Sequence, residues 1–454
     1  MQNKSRPVGA LLTVFLVATA FVVGFSFPGN HFQSTSDSLW TPLWSQVVGS
    51  SARGSTIDAS SLKPVELYAE VLSRLQDEYI EDINDDRAQE MTYAAIRSML
   101  HQLNDPYTRF MSPKEFKDFN SDNQGHFAGI GATLTMTEIP ALAAKAGDGT
   151  SPPIICPVCG NVLSDTKHYR VAIVDTIANS PAQKAGLQSN DFILSVDSKI
   201  TDGLTISEAT DLIRGVEGTE VTLMIARKGI EKPIEVKITR ARIEIPAVEW
   251  KMLDNNIGYI HLKQFNEKTV EQMKLALGEF NTKNVDGVLL DLRNDPGGLL
   301  SECVKVSGMF LPEDKKIIVS TKSRSGKSSP VEREPGDRPI YTKPLVVLVN
   351  KGSASASEIL SGALKDYGRA QIVGESTFGK ALVQTVIRVG DPASPAAMAV
   401  TTAHYYTPNG HDVGKIGLPP DIEVKLDEGV LKISESDNQA KEALRILKEK
   451  IAGK

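Results

Sequence analysis

The spacing of hydrophobic residues changes along the chain and predicts different elements in different places. Between residues 62 and 119, apolar side chains recur every three to four positions, as at Val65, Tyr68 and Val71. This is the period of an amphipathic helix. The pattern therefore predicts a small helical region in this part of the chain.

From residue 245 to about residue 424, short apolar runs alternate with helical stretches. Residues 287–292 are mostly apolar, as in a buried strand, and residues 269–280 carry the helical period. Alternating strands and helices predict an α/β fold. A last amphipathic stretch, residues 438–451, predicts a helix that packs on the body of the protein or on another subunit.

The N-terminus has a different pattern. An uncharged apolar stretch, residues 8–27, follows Lys4 and Arg6. Its length lies between a secretory signal and a bilayer-spanning helix, and no small-x-small cleavage site follows it. We therefore favour an uncleaved signal anchor over a cleaved signal peptide, with the rest of the chain in the periplasm or another extracytoplasmic space.

Composition fits a folded protein of several parts. The chain has 454 residues, of which 41% are hydrophobic, enough for two or three domains with their own cores. The formal net charge is -6, and no concentrated basic tract occurs. Because phosphate binding needs such a basic face, a nucleic-acid partner is excluded.

Candidate chemistry is concentrated at Ser355 and Lys380. Ser355 lies between an apolar, strand-like run and a helical stretch, where helix N-terminal amides can stabilise an oxyanion. A serine nucleophile needs a base, and a lysine serves when desolvation lowers its pKa. Lys380 precedes an alternating strand whose register aims Gln384 toward it. Taken singly, the serine also fits a helix cap and the lysine a solvated turn charge.

Residues 125–242 resemble a PDZ domain. The loop of Gly129, Ile130 and Gly131 leads into a strand and can offer backbone amides to a peptide's terminal carboxylate. Residues 180–197 carry the pattern Ser-Pro-Ala-x-x-Ala-Gly-Leu-x-x-x-Asp-x-Ile-x-x-Val-Asp. In the groove helix predicted at residues 206–218, Arg214 is either a surface residue or a sensor of the bound tail's charge.

Five stretches in order resemble the carboxyl-terminal processing proteases, also called C-terminal peptidases or tail-specific proteases. They are residues 129–131, 180–187, 291–298, 352–358 and 374–380. One departure is Ala381, where the family commonly has glycine.

The resemblance implies a role for each site residue. Ser355 is the expected nucleophile, Lys380 the general base and Gln384 the residue that orients the lysine. The backbone amides of Gly298 and Ala356 are the expected oxyanion hole. The implied fold is a crotonase-like or ClpP-like spiral of α/β units with an inserted PDZ domain and an N-terminal helical region, and no cofactor is required.

The expected domain boundaries follow from these patterns. They are a signal segment at 1–28, a linker at 29–60, the helical region at 61–124, the PDZ domain at 125–244 with an insertion at 137–169, the protease core at 245–432 and the terminal helix at 433–454.

The insertion contains Cys156, Cys159 and, further on, His168. A Cys-x-x-Cys-Gly knuckle is half of a zinc ribbon, and tetrahedral zinc needs four ligands. Three alternatives stay open: a local disulfide, a structural zinc site completed by His168 and a further ligand, or free thiols. Cys303, in an apolar run, is expected to be a small buried hydrophobe.

Two acidic residues near the candidate site, Asp295 and Glu358, are interpreted as turn and helix-start residues rather than as catalytic acids.

Together these observations predict a serine endopeptidase that binds apolar C-termini of protein substrates through its PDZ domain and cleaves through an acyl-enzyme. The alternative is a catalytically silent PDZ scaffold. The same core fold also serves enzymes that act on acyl-CoA, but this sequence has no CoA-binding signature, which argues against that activity. Two further interactions are expected: contact with a membrane through the N-terminal anchor, and association with other copies of the chain as a homo-oligomer.

Overall fold

The computed structural model describes residues 63–138, 154–155, 162–163, 169–230, 232–334, 338–414, 416–427 and 436–453. The chain divides into two compact units. The larger combines the described residues up to Asn123 with those from Ala247 onward, and the smaller contains the described residues of Gln124–Pro246.

The described residues form helices and strands with the following bounds. The helices are α1 (Lys63–Glu78), α2 (Asp85–His101), α3 (Pro113–Asn123), α4 (Pro181–Lys184), α5 (Ile206–Ile213), α6 (Thr269–Thr282), α7 (Leu300–Phe310), α8 (Ala356–Asp366) and α9 (Asn438–Ile451). The strands are β1 (Arg109–Met111), β2 (His126–Gly129), β3 (Ala132–Glu138), β4 (Ile154–Ile155), β5 (Val162–Leu163), β6 (Tyr169–Thr176), β7 (Phe192–Val196), β8 (Lys199–Ile200), β9 (Glu220–Ala226), β10 (Ile234–Thr239), β11 (Ala241–Glu244), β12 (Val248–Leu253), β13 (Ile257–Leu262), β14 (Gly287–Asp291), β15 (Ile317–Ser323), β16 (Ser328–Glu332), β17 (Leu345–Val349), β18 (Gln371–Gly374), β19 (Leu382–Val389), β20 (Ala396–Tyr406) and β21 (Ile422–Glu423).

The larger unit is built on a six-stranded sheet in the order β12-β13-β14-β17-β18-β21. Strands β13, β14, β17, β18 and β21 run parallel to one another, and β12 is antiparallel to β13. Side chains of successive strand residues point to opposite faces. Leu290 and Val347 therefore join the core formed with α6, α7 and α8, whereas Leu289 and Val346 pack against α9. The predicted α/β architecture is confirmed.

The loops after three adjacent strands of this sheet meet at one edge. Strands β14, β17 and β18 are neighbours and run parallel, so their carboxyl ends lie side by side. In open α/β sheets this edge is where ligands bind. The loop after β14 carries Gly298, the loop after β17 carries Ser355, and the loop after β18 carries Lys380.

A second, antiparallel sheet in the same unit has the order β1-β20-β15-β16, with β19 beside β20. In β1, Arg109 pairs with Ala399 and Met111 with Ala397. Strand β19 begins two residues after Lys380 and pairs with β20 along its length. The lysine loop therefore joins the two sheets.

The smaller unit contains a six-stranded sheet, β10-β9-β7-β6-β3 with β8 beside β7, and the pair β11-β2. Its core is apolar and includes Val171, Ile193 and Leu223. Helix α5 begins with a capping box of Thr205 and Glu208. Within the described residues, β3 is the end strand of its sheet.

The predicted membrane anchor is corrected by the described helices. Crossing a bilayer takes about 20 consecutive, predominantly apolar residues. The longest described helix, α2, has 17 residues and is rich in charged side chains. Across the described residues, none of the helices has the length and apolar character of a membrane span. Residues 8–27, on which the anchor and the membrane-bound localisation rested, lie outside the described residues, and that localisation is withdrawn.

Candidate active site

Ser355 immediately precedes helix α8 and has an unusual backbone conformation. Its φ is 55° and its ψ is -111°, a combination that costs a non-glycine residue about 1–3 kcal/mol and that clusters at functional sites. Hydrogen bonds hold this conformation. The Ser355 N–H donates to Glu358 Oε2 at 2.8 Å, and its carbonyl accepts from the Ile359 N–H at 2.9 Å.

Small side chains around Ser355 bind its loop to the loop that follows β14. The Ser353 hydroxyl donates to the Leu292 carbonyl at 2.8 Å. The carbonyl of Asp295 accepts from the Ser357 hydroxyl and from the Ala354 N–H, each at 3.0 Å. Because these bonds join two adjacent strand ends, the position of the serine is fixed relative to the neighbouring loop.

Gly298 in that neighbouring loop has a φ of 141°. A Cβ atom built on it would lie 2.0 Å from the carbonyl oxygen of Phe265, so only glycine fits. The same carbonyl accepts the Leu299 N–H at 2.7 Å, and the Phe265 N–H donates to the Gly297 carbonyl at 2.7 Å. The backbone at Gly298 is therefore held in one conformation.

Asp295 stabilises this turn, in agreement with its interpretation from the sequence. Its Oδ1 accepts the Gly297 N–H at 2.8 Å. The side chain is fully buried, and burial raises the pKa of the Asp295 carboxyl well above its usual value.

A narrow cavity lies beside Ser355. Gly298, Ala356 and Gln384 line it together with the serine. Its apolar lining is Leu300, Val319, Ile359, Leu382 and Val383. The structure thus brings the predicted nucleophile, both predicted oxyanion-hole residues and Gln384 to one cavity with largely apolar walls.

Lys380 is buried, with 4% of its surface exposed. Burial lowers the pKa of its amine from the ordinary 10.5 to about 7, and repulsion by Arg109 contributes in the same direction. Glu358 and Asp105 oppose that shift. The centroid of the Tyr107 ring lies 4.7 Å from Lys380 Nζ. An amine in this environment is substantially neutral near pH 7, as a general base must be.

One buried carboxylate, Glu358, connects the serine to the lysine loop. Its Oε2 atom accepts hydrogen bonds from the Ser355 N–H at 2.8 Å, the Lys380 N–H at 3.0 Å and the Tyr405 hydroxyl at 3.2 Å. Its Oε1 atom accepts from the Gly379 N–H at 2.7 Å and the Thr377 hydroxyl at 2.5 Å. Because Ser355 and Lys380 donate to the same oxygen atom, their backbones lie next to each other. The bond between Glu358 and Ser355 is predictable, because a glutamate three residues after a helix-starting serine is a known capping pattern. The bonds between Glu358 and residues 377–380 have no sequence pattern that predicts them.

Gln384 lies on β19 and is 3% exposed. Its Nε2 atom has no hydrogen-bond partner among the described residues. The predicted orienting role of Gln384 stays a prediction, and its position at the cavity wall also allows a contact with bound substrate.

The predicted peptide-binding residues of the smaller unit lie around one loop. Gly129 ends β2, and Gly131, with a φ of 76°, precedes β3. The Ile130 side chain is buried, and its carbonyl accepts the Ala182 N–H at 2.8 Å, so the backbone N–H is the group of Ile130 suited to a ligand. The guanidinium carbon of Arg214 lies 5.0 Å from the centroid of the Phe127 ring, which places the arginine beside the glycine loop.

The cysteines occupy two different settings. Cys303 is free and fully buried, and its thiol donates to the Ala356 carbonyl at 3.2 Å. It is the small buried residue that the sequence predicted. Cys156, Cys159 and His168 lie outside the described residues. Elsewhere, the described part of the chain has no group of three or more His, Cys, Asp or Glu side chains able to hold a metal ion.

Comparison with known proteins gives two family matches. Residues 256–424 match the model of peptidase family S41, and residues 173–227 match a PDZ domain. The carboxy-terminal-processing protease of Bartonella bacilliformis is 36% identical over 374 residues, which cover 81% of this chain and 76% of that protein.

A second relative and one solved structure are also similar to this chain. A carboxyl-terminal-processing protease of Synechocystis is 36% identical over 367 residues, 80% of this chain and 78% of the relative. Among solved structures, the photosystem II D1 C-terminal processing protease aligns over 79% of this chain and 92% of its own, with 29% identity and a TM-score of 0.45.

Proposed function

Because this chain belongs to peptidase family S41, the carboxyl-terminal-processing proteases, we propose that it cleaves protein chains with Ser355 as nucleophile and Lys380 as general base. The observation that carries the proposal is the shared contact at Glu358 Oε2, which receives the backbone N–H of both residues. Burial of the lysine supports it, since the desolvated amine is able to accept a proton near pH 7.

In the first half of the reaction, Ser355 Oγ attacks the carbonyl carbon of the scissile bond while its proton passes to Lys380 Nζ. The developing oxyanion accepts hydrogen bonds from the backbone N–H groups of Gly298 and Ala356. The C–N bond then breaks, and Lys380 returns its proton to the departing amine. An ester on Ser355, the acyl-enzyme, remains.

In the second half, a water molecule gives a proton to Lys380 Nζ and attacks the ester carbon. The ester C–O bond breaks, the Ser355 oxygen regains a proton from the lysine, and the new carboxylic acid leaves. Gln384 borders the cavity next to the serine and supplies an amide that holds the lysine or the substrate.

The smaller unit selects the substrate in this proposal. The loop at Gly129–Gly131 offers backbone amides to a terminal carboxylate, and the end strand β3 offers an edge to which a tail adds as a strand. Arg214 lies beside this loop, where its charge favours a carboxylate. The preferred substrates are proteins with exposed apolar C-termini, and tail binding raises the effective concentration of the preceding chain at Ser355.

An unfolded, tagged protein with an apolar tail tests this proposal. The wild-type protein should cut it, Ser355→Ala should not, and the same substrate with a charged tail should be spared. Binding of the apolar-tailed protein without any cleavage by the wild type would contradict the proposal and favour the silent PDZ scaffold. Equal cleavage of both tails would contradict tail selection alone.

A further inference from the structure

A short segment of the N-terminal region, residues 105–111, contacts the lysine of the site. We call it the strap. It leaves helix α2, makes a turn and continues into β1. The ring of its half-buried Tyr107 lies with its centroid 4.7 Å from Lys380 Nζ. Tyr107 has no part in the reaction steps described above.

Hydrogen bonds fix the turn that carries this ring. The carboxylate of Asp105 accepts the Tyr107 N–H at 3.0 Å and the Thr108 hydroxyl at 2.7 Å. Thr108 Oγ1 in turn accepts the Thr401 N–H of β20 at 3.1 Å. Since β20 also pairs with β1 and with β19, which begins two residues after Lys380, the ring and the amine are positioned by one hydrogen-bonded sheet.

The strap also sets the electrostatic surroundings of the amine. From the strap, Arg109 repels the charged form of Lys380 and Asp105 attracts it, and from helix α8 the carboxylate of Glu358 attracts it. The face of an aromatic ring favours a cation, whereas its bulk excludes water and disfavours one. Burial is the largest influence on Lys380 and lowers its pKa, so exclusion of water outweighs the attraction by the carboxylates of Glu358 and Asp105.

We propose that Tyr107 is a positioning residue of the Ser–Lys site: its ring covers the Lys380 amine, keeps water from it and holds it toward Ser355. The inference rests on the proposed function, because a cover of this kind matters only if Lys380 acts as a neutral base. The ring, not the hydroxyl, performs this role.

The pH dependence of kcat/KM in the full chain tests the role. Activity should rise with pH as Lys380 loses its proton, with a midpoint near 7 in the wild type. Tyr107→Ala admits water and should move the midpoint up by about one to two units, which lowers kcat/KM about tenfold per unit at pH values below both midpoints. Tyr107→Phe keeps the ring and should keep the midpoint.

Tyr79 provides a matched control, since it is an exposed tyrosine of the same region with Arg87 5.7 Å from its ring centroid. Tyr79→Ala should leave the midpoint in place. An unchanged midpoint in Tyr107→Ala would overturn the proposal even if kcat falls, because a purely structural role lowers activity without moving the pH profile. A shift in Tyr107→Phe equal to that in Tyr107→Ala would also overturn it.

A second readout separates this inference from the proposed function. NMR titration of isotope-labelled lysine side chains, with Lys380 assigned from Lys380→Met, reports the lysine directly. If even the wild type cleaves nothing, the proposed function fails, and the titration still decides whether Tyr107→Ala raises the Lys380 midpoint. If Tyr107→Ala does not fold, Tyr107→Leu replaces it and should give a smaller upward shift. No shift in a folded Tyr107→Leu would contradict the role of the ring.

Discussion

Glu358→Gln is the substitution whose effect follows most directly from the site. The carboxylate is fully buried and accepts five hydrogen bonds, two of them from the backbones of Ser355 and Lys380. A glutamine of the same shape replaces one oxygen with an NH2 group. An NH2 group at the Oε1 position would face the fixed backbone donor of Gly379, and at the Oε2 position it would face the backbone donors of Ser355 and Lys380, whereas the hydroxyls of Thr377 and Tyr405 can turn and accept from it.

The expected magnitude follows from those contacts. A hydrogen bond to a charged group contributes about 1.5–3 kcal/mol, so losing one or two of them should lower the free energy of unfolding by about 1.5–6 kcal/mol. The reacting groups should also shift, and a misplacement of about 1 Å costs on the order of 100-fold in rate. We therefore expect kcat/KM to fall at least that far.

Urea unfolding followed by circular dichroism measures the first quantity, and cleavage of a fluorogenic unfolded protein measures the second. Glu302→Gln is the matched control. Glu302 is also buried in this core, but its only described hydrogen bond comes from the Val270 N–H at 3.0 Å, which a glutamine oxygen accepts equally well. The control should stay within about 1 kcal/mol of the wild type. Equal stability and equal kcat/KM in Glu358→Gln and this control would contradict the bridging role of the Glu358 carboxylate.

Three further predictions concern the oxyanion loop, the base and the C-terminal helix. Gly298→Ala should abolish cleavage in the same assay, because its Cβ would lie 2.0 Å from the Phe265 carbonyl oxygen; cleavage near the wild-type rate would show that this backbone is not needed. Because the pKa of Lys380 is lowered, kcat/KM should rise with pH through a midpoint near 7. A profile that stays flat from about pH 5 to about pH 9, about two units on either side of this pKa, would exclude lysine as the base. Asp437→Ala leaves the buried Arg293 without one of its two carboxylate partners, so it should lower the free energy of unfolding by about 3–5 kcal/mol. Glu442→Ala, which removes an exposed ion pair with Arg445, should change the free energy of unfolding by less than about 1 kcal/mol. Equal effects of the two variants would contradict the role of burial.

Elements set by local pattern were predictable from the sequence. The apolar run at 287–292 is the buried strand β14 (Gly287–Asp291), and the helix predicted from Thr269 begins there in the structure. The positions of Ser355 after strand β17 and of Lys380 before strand β19 also follow from local signals, because strands and glycine turns are short-range features.

Features that depend on distant residues were not predictable. The groove helix predicted to reach residue 218 ends at Ile213, because Arg240 donates to the carbonyls of Ile213 and Leu212 at 2.8 and 3.0 Å and satisfies the helix end. The contact of Tyr107 with Lys380 likewise joins the two separate stretches of chain that form the larger unit. Neither contact has a sequence period, since both depend on tertiary packing.

We propose above that Ser355 forms an acyl-enzyme with Lys380 as its base. The most direct test is mass spectrometry of the products formed from an unfolded substrate in the presence of hydroxylamine, which competes with water for an ester on the enzyme. We predict a hydroxamate at the new C-terminus with the wild type, and no cleavage with Ser355→Ala or Lys380→Ala. Cleavage by either variant at the wild-type rate, or products from water alone at every hydroxylamine concentration, would contradict the account.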